Sequence, residues 1–290
     1  MSLSPHRSHT ALRPAALWIA TACLAGCVSP APDAAAQVLI FGEQHDQPDQ
    51  QRQVADTVRL LAAQGQLGAV VIEMAEQGRS SLGQPLDAQD VSVQTALAWA
   101  GWPWEVYGPV VMAAVRAGVP VLGGNLARAR LIEAAADDSL DARLEQPQRE
   151  RIAEAVRRGH CGLLPQAQEP AMVRIQIARD LAMAQTVHEA LGRFPGRQVL
   201  LLTGAQHASL DRGVPVHLAR LDARRQVRVV MFGSPDDNLR ADELRPAETT
   251  LQPDPCAAFA TRLRSKPSAA SSVAADGGAP MAQPPGVAPR

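Results

Sequence analysis

Two short strings carry most of the chemistry available to this chain. Gly42-Glu-Gln-His45, followed by Asp46, comes directly after the apolar run 38–41, and Gly204-Ala-Gln-His207 comes just after the apolar run 199–202. Between them the run 69–72 stops at Glu73, with Glu76 shortly after, and the run 119–122 leads to Gly123-Gly124-Asn125. Each apolar run reads as a buried strand, so each polar group sits just past a strand's carboxyl end. In a parallel α/β sheet those ends share one edge, and ligands bind in the crevice along it. Glu43, His45, Glu73 and His207 are therefore expected in one cleft. Such a set supports three chemistries. It can ligate a divalent metal, with the second imidazole nitrogen fixed by a carboxylate. It can act as a Glu/His acid–base pair on an ester or peptide. A histidine can also ligate haem iron, as tyrosine or methionine can. Residue types alone leave these open.

Other residues are candidates for the same cleft. Gln176, Asp180 and Met183 recur at helical spacing beside the apolar stripe Val173, Ile177 and Leu181, so Asp180 or Gln176 could reach the cleft and orient a histidine. His160 lies beside Cys161 and Gly162 in an expected loop between helices, placed to be a ligand. His188 and His217 read as structural or solvated. Trp99, Trp102, Trp104 and the sole tyrosine, Tyr107, cluster in a chain with only 3% aromatic residues. They form either part of the core or a flat apolar wall for a planar ligand.

The elements that must position these groups alternate. After the first strand, residues 49–63 carry a helical stripe. Helices follow the second strand around Gly101-Trp102-Pro103 and Gly108-Pro109. Further helices follow the third strand, the last over about 169–191, and 214–221 with 227–232 read as a terminal pair of strands. Apolar strands alternating with amphipathic helices predict an α/β fold: a mostly parallel sheet flanked by helices, with a helical elaboration. There is no phosphate-cradling glycine motif.

The ends of the chain suggest its setting. Residues 1–26 have the layout of a secretory signal, with Arg7 and Arg13 ahead of a short apolar run. The run ends in Leu24-Ala-Gly-Cys27, which resembles a bacterial lipobox and marks Cys27 for lipidation. Residues 27–36 read as a linker, 37–262 as the folded domain, and 263–290 as a disordered Ala/Pro/Ser/Gly-rich tail. A net charge of −1 presents no basic face to nucleic acid. Beyond the leader and Cys27 only Cys161 and Cys256 remain, a disulfide candidate in an oxidising compartment.

Several segments, taken together, resemble one family. Phe41-Gly-Glu-Gln-His-Asp46 with Gln51 and Arg52, Trp102-Pro-Trp with Tyr107-Gly-Pro109, Cys161-Gly-Leu-Leu-Pro165, Gln176 with Arg179-Asp180 and Met183-Ala184, and Gly204 to His207 with Gly213-Val-Pro215 occur in the order seen in ChaN-like haem-binding lipoproteins. These belong to a wider group similar to erythromycin esterases and TIKI proteases. The resemblance implies an α/β fold, haem as cofactor, haem or a related porphyrin as partner, and iron-regulated haem handling at the outer membrane. It implies tyrosine at the haem iron, histidine at the propionates, and a homodimer enclosing paired haems. Haem contacts are then expected among Tyr107, His160, His207, His45, Gln176 and Asp180. The partners would be an outer-membrane haem or iron receptor and, through the lipid anchor, the membrane itself. The other reading is a metal-dependent or Glu/His hydrolase built on Glu43, His45, Glu73 and His207.

Overall fold

Four runs that are apolar on both sides explain the centre of the fold, because strands buried on both faces read as continuous hydrophobic segments. In the computed structural model these are β1 (Val38–Glu43), β2 (Leu67–Glu76), β4 (Gln198–Gly204) and β5 (Val227–Phe232). With β3 (Val121–Asn125) and β6 (Glu243–Arg245) they form a six-stranded sheet in the order β3-β2-β4-β1-β5-β6. All neighbouring strands are parallel. The structure describes residues 36–233 and 238–248, with Met1, Thr250, Asp254, Cys256, Ala257 and Thr261 besides. Apart from Met1, the expected signal, the expected lipidation site Cys27, nearly all of the linker and the 263–290 tail lie outside the described residues. No helix among those described is long and apolar enough to cross a membrane.

Helices cover both faces of the sheet. On one side α1 (Pro48–Ala63), α2 (Asp90–Leu97) and α3 (Trp104–Arg116) pack on Phe41, Val70, Ile72, Leu200 and Leu202. On the other, α6 (Glu169–Arg193) and α8 (Val214–Leu221) pack on Val38, Ile40, Val71, Val199 and Leu201. Alternate residues of one strand thus feed two cores, as the two-residue period requires. The helical elaboration is α4 (Leu131–Ala136) and α5 (Gln146–Gly159), whose Ile152 and Val156 bury against Val173 and Ile177 of α6. Because α6 is 25 residues long, one half serves this small third core and the other half the sheet. Its middle, at Asp180, is left beside the sheet's carboxyl edge.

Three local expectations are corrected. Residues 214–221 form α8, not a strand. Val214, Val216 and Leu218 alternate, but Val214 and Leu218 are also one helical turn apart, and Pro215 sits in the first turn where its missing N–H costs nothing. His217 is therefore on a helix. β3 runs through Gly123-Gly124 instead of closing before them. A Cβ at Gly123 would lie 2.0 Å from the Glu76 carbonyl oxygen, so only glycine lets β3 pass the irregular end of β2. β2 extends beyond its apolar run to Glu76, which makes Glu73 a strand residue and not the first residue of a loop. β6 was not anticipated, as three mostly polar residues carry no strand signal.

Cys161 and Cys256 form the expected disulfide, with Cα atoms 5.5 Å apart across 95 residues of sequence. It joins the corner after α5 to the segment that follows β6.

Candidate functional site

Glu43 ends β1 and is buried, with its charge met from three directions. His45 Nδ1 lies 2.8 Å from Oε1 and the Tyr107 hydroxyl donates to Oε1 at 3.0 Å. Gln51, in the second turn of α1, donates its amide to Oε2. Tyr107 comes from α3, 64 residues away in sequence, and its oxygen also accepts the Asp46 N–H at 3.2 Å. That bond pins the turn after His45, where Asp46 adopts a left-handed φ of 60°. Trp102 then stands edge-on to His45 with ring centroids 4.9 Å apart, and meets Tyr107 at 5.5 Å.

The register of the sheet brings the second half of the site to the same level. Glu43 pairs with Gly204, and Ile72 with Leu202, which sets Glu73 beside Thr203. Glu73 accepts from the Thr203 hydroxyl at 2.7 Å and from the Gly204 N–H at 2.8 Å. Arg179 of α6 closes an ion pair on its other oxygen and donates Nε to Asn125 Oδ1 at 2.9 Å. Asn125 in turn donates to the Glu73 carbonyl at 3.0 Å. β4 leads into α7 (Ala205–Ala208), which carries His207. His207 Nδ1 lies 2.7 Å from Asp180, and its Nε2 is 3.8 Å from Glu73 Oε1. Both imidazoles are thus held at Nδ1 by a carboxylate, an arrangement that fixes ring orientation and tautomer.

The charges follow from this packing. Burial alone would lower the His45 pKa, but the Glu43 hydrogen bond and the Glu43 and Glu73 charges outweigh it and raise the pKa to about 9. His45 is then an imidazolium at neutral pH. Burial raises the Glu43 pKa, against the pull of His45. Burial would raise Glu73 as well, yet His207, Arg179 and His45 hold it ionised, well below the usual carboxylate range. Burial beside Glu43 pushes the Tyr107 hydroxyl well above its ordinary value, so it stays protonated and donating.

These groups open on a cleft of about 360 Å³. Glu43, His45, Glu73, Asp180, Gln176, His160 and His207 all line it, with an apolar wall of Ile152, Val156 and Met172 from the helical elaboration and α6. His160 Nδ1 donates to the Val156 carbonyl at 2.7 Å. Tyr107 does not line the cleft. It is 1% exposed, packed in the α3 core, and reaches the site only through Glu43 and Asp46. The tryptophans also stay outside the lining; they pack against that core and back the His45 ring. His217 is buried in α8 away from the lining.

The four residues read as a divalent-metal set do not form one. Among the described residues no three His, Cys, Asp or Glu side chains group closely enough to hold an ion. The reason is local: Arg179, Thr203 and Gly204 already satisfy Glu73, while Gln51, Tyr107 and His45 satisfy Glu43. Arg179 was not among the residues expected in the cleft, although it lies in the family-like segment with Gln176 and Asp180. Its signal was available: it adjoins a residue already suspected of reaching the cleft. Thr203, the single hydroxyl in an otherwise leucine-rich strand, was a second.

No curated protein matches the chain. Among solved structures, one described as cofacial heme binding to ChaN of Campylobacter jejuni is 21% identical, with a TM-score of 0.61 over 74% of this chain and 88% of that one, and it agrees in fold. The type III effector HopBA1 is 13% identical over the same shares, with a TM-score of 0.43. A family model described as haem-binding uptake, Tiki superfamily, ChaN matches residues 33–218, well over half of the 290-residue chain and all of the cleft-lining histidines and carboxylates. The chain belongs to the ChaN family of haem-binding uptake proteins.

Proposed function

We propose that this protein binds haem or a closely related porphyrin as a step in iron acquisition. The observation that carries the reading is the family match, which runs across every element that builds the cleft. The cleft's chemistry fits the ligand's two ends. His45, charged at neutral pH, together with Arg179 offers donors to propionate carboxylates. Ile152, Val156 and Met172 offer apolar surface to a macrocycle. Bound haem would supply an iron able to take an axial protein ligand. Tyr107 does not fit that task, because its hydroxyl is buried and committed to Glu43 and Asp46. The cleft's better-placed donor is His207, whose Nδ1 is fixed by Asp180 and whose Nε2 is therefore the nitrogen left for a ligand. His45 suits the propionates and not the iron, since an imidazolium has no lone pair to give.

On this reading Cys27 anchors the mature protein by lipid to the outer membrane, and the domain works in the periplasm or at the cell surface. It passes haem to or from an outer-membrane receptor. A cleft of about 360 Å³ holds only part of a porphyrin, which favours a homodimer that encloses the remainder. Titrating haemin into the purified mature protein tests the core of the proposal. A Soret shift with stoichiometric saturation is expected, and its absence would end the carrier reading. Cys27→Ser should release the protein from membranes or leave it uncleaved; unchanged membrane partitioning and full maturation would end the anchor.

A second reading has one observation in its favour. The His207–Asp180 pair is the arrangement of a general base and the carboxylate that orients it, as a Glu/His hydrolase requires. If the protein cleaves an ester or peptide, Glu43→Gln should abolish turnover while leaving substrate affinity nearly unchanged.

A further inference from the structure

Arg212 is the one buried arginine among the described residues, and it is incompletely paired. Its Nη2 donates to Gln206 at 2.8 Å and its Nη1 stands 3.6 Å from Asp211, but its Nε has no hydrogen-bond partner. That nitrogen is itself sealed from solvent, so what Arg212 presents to its surroundings is its charge. Burial pulls its pKa down, and although Asp211 opposes this, the neighbouring Arg158 and Arg151 charges add to the fall.

Besides the main cleft, Arg212 lines a second, separate cavity of about 280 Å³. Four arginines face that cavity. Arg151 is paired with Asp211, and Arg158 with Glu154 at 3.4 Å, so those charges are offset within the wall. Arg240 lines the cavity too and has no carboxylate within ion-pair distance among the described residues. Arg212 and Arg240 are the surplus, about two positive charges beside the Asn238 amide.

We propose that this cavity is an oxyanion site distinct from the main cleft, taking a phosphate or diphosphate group between Arg212, Arg158 and Arg240. Guanidinium forks suit an oxygen-rich anion because each offers paired N–H donors in one plane. A dianion would neutralise the surplus charge, with the exposed Arg240 and Arg158 as its direct donors and Arg212 behind them in the wall. A solvated charged surface would leave its arginines exposed; here one is sunk to 2% exposure at the back of a concavity, which is how a built site differs from a rim.

The test uses the full mature protein with its disulfide intact. Sodium pyrophosphate is titrated by calorimetry at low ionic strength, with sodium chloride at matched ionic strength as the control. Saturable binding at one site is expected for pyrophosphate alone, weakened at least about ten-fold in Arg240→Ala and in Arg158→Ala. Both are exposed residues outside the main cleft, so haemin titration of the two variants should match the wild type. A parallel arm with phosphatidylglycerol vesicles separates the source of the phosphate. Vesicle binding that Arg240→Ala abolishes, without pyrophosphate binding, would assign the site to a lipid headgroup. No saturable binding of either probe, or binding that both variants retain undiminished, would overturn the proposal.

Discussion

His207 Nδ1 stands 2.7 Å from the Asp180 carboxylate, a contact that ties the first turn after β4 to the middle of α6. Both side chains are largely buried, so water competes little with either for the bond. The bond leaves Nε2, 3.8 Å from Glu73 Oε1, as the ring nitrogen available to a ligand. Asp180→Asn keeps the side chain's shape while removing the charge that orients the ring. Haem affinity should fall roughly 10- to 100-fold, the usual cost of losing such a supporting partner, with the circular dichroism spectrum unchanged. An unaltered haemin titration would remove His207 from the iron.

The pH dependence of stability should report His45. Its pKa is raised from 6.5 to about 9 in the folded protein, chiefly because Glu43 outweighs the opposing cost of burial. The stabilisation is therefore fully present below about pH 6.5 and is lost as pH rises through 9. Glu73 gives the opposite limb. Its pKa is lowered, so its contribution is present above the ordinary carboxylate value of 4.5 and fades as pH falls below that. Melting midpoints of the wild type should decline between pH 6.5 and 9, and His45→Gln should flatten that decline while also weakening the acid limb, because His45 is one of the charges that hold Glu73 ionised. Parallel curves for the two proteins across the alkaline range would show that His45 is not the group responsible.

Tyr107 should behave as a positioning residue. Tyr107→Phe keeps the ring in its core but strips a donor from Glu43 and an acceptor from the Asp46 N–H. Leaving buried polar groups unpaired costs about 1–3 kcal/mol. We expect a lower unfolding midpoint and a haem complex whose Soret position is unchanged. Loss of the Soret band in a variant that melts like the wild type would place the iron on Tyr107 after all.

Much of this arrangement was legible in the residues. Apolar runs that stop at polar groups located four of the six strands, and the shared carboxyl edge of a parallel sheet then required Glu43, Glu73 and His207 to meet. What escaped depended on tertiary context. The strand-like alternation in 214–221 was overridden by a proline-started helix packing on the sheet. β6 exists because Val230 to Phe232 offer it a free edge, which no local pattern of its own announces. Arg179 escaped because helical spacing fixes only which side of α6 it occupies. Whether that side meets water or Glu73 depends on where the helix lies across the sheet.

Gly204 offers the sharpest test of the geometry. Its backbone angles, φ −61° and ψ 148°, suit any residue, so conformational freedom is not why glycine stands there. The reason is proximity: a Cβ at this position would lie 2.9 Å from both Cε1 and Nε2 of His45. Gly204→Ala must therefore push the imidazole off its place against Glu43, while the Gly204 N–H can still serve Glu73. Overpacking of this kind costs about 1–3 kcal/mol, a modest loss for the fold but a direct displacement of the cleft's charged histidine. Haemin affinity should drop at least about ten-fold, more than the loss of stability would suggest, because a small misplacement of a binding group is felt in full by its ligand. Gly192→Ala is the control. It lies in α6 with nothing within 4 Å of its would-be Cβ, so it should leave binding untouched and slightly raise the midpoint. If Gly204→Ala binds haemin as the wild type does, His45 makes no contact with the ligand, and the propionate assignment falls.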